Sequence, residues 1–129
     1  MDYLLFDEIG SHIAASDFNE AECIRRTSSG RHYYFIYHTV KNWLELHYPN
    51  IIKNMGGSSH EKLRFCMEEL MKSNSNKKFG MIALKLGNLH RVRVHADYLL
   101  DKEFTEGQSK IMNAEKLRIC ELLKELESI

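Results

Sequence analysis

The stretch "FGMIALKLGNLHRVRVHADYLL", residues 79–100, decides the fold. It opens as an apolar run and then takes in arginines, histidines, an aspartate and a tyrosine. On a wheel of 3.6 residues per turn, Ile82, Leu86, Leu89, Arg93, Ala96/Asp97 and Leu100 share one face. A helix that buries this face must also bury part of a charge. Arg93 and Asp97 stand four apart and can pair side by side. We expect that structural pair, because an unpaired buried charge is costly. The next strip carries Leu84, Asn88, Arg91, His95 and Tyr98. Arg91, His95 and Tyr98 are spaced four and three, so we expect their side chains to converge. A guanidinium binds a phosphodiester by charge-assisted hydrogen bonds. A histidine titrating near neutrality moves protons. An ordinary solvated polar face is the other reading of the same spacing.

Working outward, helical spacing dominates the chain, which has a single proline, Pro49. Asp17 and Glu20 form an N-terminal cap signal. From there "FNEAECIRRTSSGRHYYFIYHTVKNWLELHY" reads as one long helix, or as two broken near Gly30. Tyr33, Ile36, Tyr37, Val40, Leu44 and His47 give it one mainly apolar face. Arg31, Tyr34 and His38 form a second polar strip. Pro49 stops this helix, and "NIIKNMGGSS" is expected as a loop. Ser58 and Glu61 form a capping box. They start a helix that turns Leu63, Cys66, Met67 and Leu70 to the core. "SNSNKK" is expected as a turn. Thr105 and Gln108 form another capping box, opening a last helix with Ile111, Leu117, Cys120, Leu122 and Leu123 as its apolar stripe. The expected fold is all-α: one domain over 1–129, a bundle of four or five helices, with 1–16 as an N-terminal extension and 17–127 as the core.

The formal net charge is zero, but it is unevenly spread. Residues 1–24 carry six acids and no Lys or Arg, whereas residues 25–95 carry thirteen Lys/Arg and four acids. A basic middle between acidic ends suits an anionic partner such as RNA; ordinary solvated helix faces are the alternative. The three cysteines, Cys23, Cys66 and Cys120, form no CxxC pair and read as reduced thiols in a cytoplasmic protein. No apolar stretch approaches the roughly 20 residues needed to span a bilayer. No HExxH or Cys/His metal spacing, glycine-rich phosphate loop or GxSxG motif is present, so no metal or cofactor is expected.

Two motifs carry a family resemblance. "SGRHYYFIYHTV", residues 29–40, resembles the S-R-x-Y-Y-x-x-F-H signature of the HEPN superfamily, the higher-eukaryote and prokaryote nucleotide-binding domain. Arg31, Tyr33, Tyr34, Tyr37 and His38 fall on its marked positions. "RVHADY", residues 93–98, resembles the R-x-x-A-D-Y stretch of that family's fourth helix, and His60 stands where such proteins often open a helix with histidine. The resemblance covers about residues 17–127. It implies a HEPN-like bundle that dimerises and cuts RNA without a metal through an R-x4-6-H motif at the dimer cleft. It also implies a toxin–antitoxin or phage-defence setting, with a nucleotidyltransferase or other antitoxin as a possible partner. Arg91 to Tyr98 keeps the arginine-to-tyrosine spacing of the R-x4-H-x-Y form, but Ala96 stands at the histidine position and His95 comes one residue early. One residue is a rotation of about 100° around a helix.

Two functions follow. The first is a metal-independent endoribonuclease, with Arg91, His95 and Tyr98 as catalytic residues and Asn88, Arg93, Arg31, Tyr34 and His38 binding RNA or nucleotide. The second is a non-catalytic HEPN dimer that holds RNA, a nucleotide or a protein partner.

Overall fold

A computed structural model of the chain describes residues 1–17 and 19–128. Among these residues there are six helices and no strand: α1 (Leu4–Ala14), α2 (Ala21–His47), α3 (Pro49–Asn54), α4 (Ser59–Asn74), α5 (Lys77–Tyr98) and α6 (Glu106–Glu127). Four long helices, α2, α4, α5 and α6, build the bundle. The all-α expectation holds, and the two shorter helices account for the higher count. Phe18, the first residue of the expected second segment, lies outside the described residues, and Glu20 is the N-cap of α2 without a side-chain cap bond. None of the described helices is long and apolar enough to cross a membrane.

The 27 residues of α2 run unbroken through Gly30. The glycine serves close approach here: a Cβ at Gly30 would lie 3.2 Å from Asp97 Oδ1 on α5. Pro49 ends α2 and opens α3 as its first residue, where its missing N–H costs no bond. The segment expected as a loop is therefore helical at first, and Ile52 is buried by it. Both capping boxes form, Ser58 with Glu61 and Thr105 with Gln108. The turn before α5 shrinks to Ser75 and Asn76; Ser75 takes a left-handed conformation at φ 50°, and Asn76 caps α5.

The core joins Ile36, Val40 and Leu44 of α2, Cys66, Met67 and Leu70 of α4, Ile82 and Leu89 of α5, and Met112, Ile119 and Leu122 of α6, each fully buried. The expected stripe of α6 is corrected. Ile111 and Leu117 are exposed, and Met112 and Lys116 point inward instead. The reason lies on α1. Lys116 is 6% exposed, and its Nζ donates to Asp7 Oδ1 at 2.5 Å. A partner from the first helix makes a buried lysine tolerable and sets the rotation of α6. Leu100 is exposed because α5 ends two residues earlier.

The N-terminal residues expected as an extension carry α1, which packs along α2. His32 Nδ1 lies 2.7 Å from Asp7 Oδ1, and Ser28 Oγ donates to the Gly10 carbonyl at 2.8 Å. The same N-terminal part of α2 holds the exit of α5. Arg26 Nη1 donates to the carbonyls of His95 at 2.9 Å and Ala96 at 3.0 Å, and its Nη2 donates to those of Leu99 at 3.2 Å and Lys102. At this helix end the backbone ladder runs out after the Leu99 N–H bond to the His95 carbonyl, and Arg26 supplies the further donors.

Candidate functional site

Arg93 is the hub of a cluster between α2 and α5. Its side chain is 11% exposed, and Nε lies 2.9 Å from Asp97 Oδ2. Nε is buried and forms no well-aligned hydrogen bond, so its contact with Asp97 is mainly coulombic. Nη2 donates to Tyr34 Oη at 2.8 Å and to Tyr98 Oη at 3.3 Å. The guanidinium carbon sits 5.4 Å and 5.0 Å from the centres of those two rings. Burial opposes the charge of Arg93, but Tyr34, Asp97 and Tyr98 outweigh it and raise its pKa. Arg31 lies over Tyr34 and over Phe6 of α1, at 4.9 Å and 5.6 Å. His38 stacks on Phe6 with centroids 5.9 Å apart and planes 10° apart. The strip of Arg31, Tyr34 and His38 is thus covered in part by α1.

The set Arg91, His95 and Tyr98 does not converge. Tyr98 belongs to the Arg93 cluster. His95 faces the start of α6: Gln108 Nε2 donates to its Nδ1 at 2.6 Å, its Nε2–H donates to the Lys102 carbonyl at 3.3 Å, and the ring stands edge-on to Phe104. Both imidazole nitrogens are occupied by bonds within the fold. Arg91 is exposed and, among the described residues, donates to Asn88 Oδ1 alone, one turn back on the same helix.

Arg91 instead lines a groove of about 590 Å³ between α4 and α5. Arg64, Lys72, Lys77 and Arg91 supply four cations to its walls, and Glu68 is the single acid there. The floor includes Gly87. A Cβ at that position would lie 3.4 Å from Arg64 Nη1 and 3.8 Å from Arg91 Nη1, so two guanidiniums close over bare backbone. Among the described residues neither meets a carboxylate within ion-pair distance. Two like charges drawn together with no carboxylate paired to either form a place for an anion.

Two histidines adjoin these arginines. His60 and His90 stack with ring centroids 4.4 Å apart and planes 30° apart. His60 stands one turn before Arg64 on α4, and His90 directly precedes Arg91 on α5. His60 Nδ1 lies 2.5 Å from Tyr33 Oη. Tyr33 is 2% exposed, and burial pushes its phenol well above the ordinary tyrosine range, so it remains a neutral O–H. Burial depresses both histidines; each is depressed further by the charge on Arg93, and His60 by His90 as well. The sequence places His60 only as a histidine opening a helix and gives His90 no role. The signal was present: His90, Arg93 and Asp97 are spaced three and four, on the face of α5 that meets α2 and α4. Among the described residues no three His, Cys, Asp or Glu side chains gather where they could hold one metal ion.

Comparison of this chain with protein-family models, curated proteins and solved structures finds no match.

Proposed function

We propose that this chain is a HEPN-type endoribonuclease that works as a homodimer and cleaves RNA without a metal ion. The observation that carries the reading is the pair Arg64 and Arg91, closing over Gly87 with no carboxylate within ion-pair distance among the described residues, beside two half-buried imidazoles. Guanidiniums bind phosphate in the planar, bidentate manner that suits a phosphodiester. Burial holds both imidazoles below the ordinary histidine range, so at neutral pH their ring nitrogens are free to accept a proton. Lys72 and Lys77 line the same groove, which gives a polyanion more cations than one phosphate needs. The basic segment 25–95 contains all four of these cations. A setting in toxin–antitoxin or defence systems, with a nucleotidyltransferase as a possible partner, belongs to the same reading through the HEPN resemblance.

One observation favours the binding reading instead: His95 is tied to Gln108 and Lys102 and is turned away from Arg91. The test is to incubate the purified protein with single-stranded RNA and with DNA of the same sequence, in the presence of EDTA. The endoribonuclease reading expects the RNA alone to be cut. RNA that is bound and stays intact leaves the non-catalytic module. Absence of both binding and cleavage removes the RNA reading.

A further inference from the structure

We propose that His60 and His90 are the acid–base pair of RNA cleavage, with Arg64 and Arg91 holding the scissile phosphodiester over Gly87. The proposal rests on the RNA-cleavage reading and relocates its chemistry from the end of α5 to the contact between α4 and α5 beside the groove. Its basis is geometric. The two rings stack with centroids 4.4 Å apart, which sets two imidazoles side by side next to the arginine pair. Nη1 atoms of both arginines lie within 3.8 Å of one point above Gly87, three residues from His90 on the same helix. Residues three apart on a helix share a face.

The two histidines differ in their surroundings. His90 forms no hydrogen bond with a protein group among the described residues, so a ring nitrogen keeps its lone pair for a substrate proton. His60 is braced by Tyr33 Oη at Nδ1, which orients the ring and can accept from its protonated form. We assign His90 as the base and His60 as the acid. His90 takes the proton from the ribose 2′-hydroxyl. The 2′-oxygen bonds to phosphorus, the bond from phosphorus to the 5′-oxygen breaks, and His60 delivers its proton to that oxygen. The products are a 2′,3′-cyclic phosphate and a 5′-hydroxyl, and no water is consumed. Exchange of one proton with solvent restores both rings.

Groups from three helices set the working pH. Tyr33 and Tyr37 face the rings from α2, Glu61 and Arg64 from α4, and Arg91 and Arg93 from α5. Glu61 is the one group among the charges on His90 that favours protonation, and the arginines outweigh it. His90 therefore stays unprotonated at a pH below the ordinary histidine value of about 6.5, and the acid limb of the rate profile falls below that value.

The experiment compares wild type, His60→Ala, His90→Ala and His90→Gln on a single-stranded RNA, reading cleavage rate, RNA affinity and circular dichroism. Each variant should keep the helical spectrum and the affinity and lose about 10²–10⁴-fold in rate. His90→Gln guards against a folding artefact, since the ring leaves no internal bond to break. A second substrate carries sulfur in place of the 5′-oxygen at one linkage. A thiolate leaves without a proton, so this substrate should restore His60→Ala and leave His90→Ala slow. Cleavage at the wild-type rate by both alanine variants overturns the assignment while leaving the endoribonuclease reading in place. Failure of the sulfur substrate to restore either variant also overturns it. A wild-type protein that binds RNA and never cuts it overturns both the assignment and the reading.

Discussion

Arg91 and Arg93 stand two positions apart on one helix and are used in opposite ways. Arg93 turns inward to Asp97, Tyr34 and Tyr98, whereas Arg91 lies exposed over the groove. Removing Arg93 strands Asp97 against α2, where it lies over the bare backbone of Gly30. Breaking a buried pair costs about 3–5 kcal/mol, and the partial exposure of Asp97, 29%, puts Arg93→Ala at the low end. Arg91→Ala should change stability by less than about 0.5 kcal/mol. Urea unfolding of the two variants checks this, and equal midpoints would show that the faces are misassigned. At this scale the sequence is legible where interactions are local. The contact of Arg93 with Asp97 can be read from a spacing of four. The convergence of Arg64 on Arg91 cannot, because it depends on how closely α4 approaches Gly87 of α5. The same limit explains His95, whose partners Lys102 and Gln108 come from the turn and the next helix.

Helix ends were the most legible elements. Ser58 with Glu61, and Thr105 with Gln108, satisfy orphan N–H groups by contacts three residues long, so short patterns announce them. The end of α5 was not legible, because its carbonyls are met by Arg26 from a helix some seventy residues earlier. Glu22 reinforces the joint, accepting from Arg26 and from the Phe104 N–H at 2.7 Å. Arg26→Ala should destabilise the fold by roughly 2–3 kcal/mol, the range for a hydrogen-bonded charge left unreplaced. Hydrogen exchange should show the loss first at residues 95–105. Unchanged protection there would mean that the exit of α5 is held by packing on Phe104 alone. The packing of α1 on α2 also escaped the sequence reading, since nothing in "MDYLLFDEIG" reveals that Asp7 will meet Lys116.

Across the whole molecule, four histidines, His32, His38, His60 and His90, have pKa values lowered first by burial. In the unfolded chain each titrates near 6.5. Below that pH the unfolded state binds more protons, so stability is fully present above about 6.5 and is lost as pH falls. Asp7 acts in the same direction at lower pH. Its burial would raise its pKa, but Lys116 and His32 outweigh burial and lower it. The free energy of unfolding in urea should therefore decrease from pH 7.5 to pH 5.5. A flat or rising value would mean that these rings are already protonated in the fold.

The same scale includes assembly. Leu84 is 67% exposed and Met81 39% exposed on the outer strip of α5, beside Arg91. Exposed apolar side chains flanking the groove fit a two-fold contact between copies, which would bring two grooves together. Light scattering at micromolar concentration should give a dimer mass, and Leu84→Glu should give a monomer. A wild-type monomer would remove the two-fold site.

The proposed cleavage of RNA by this bundle uses the substrate's own 2′-hydroxyl. It is tested most directly with a DNA strand that carries one ribonucleotide, incubated with the protein in EDTA. The account predicts a single cut, immediately 3′ to the ribose, leaving a 2′,3′-cyclic phosphate and a 5′-hydroxyl. An uncut strand that the protein nonetheless binds, a cut at a deoxynucleotide, or cleavage that appears only when a divalent metal is added would contradict it.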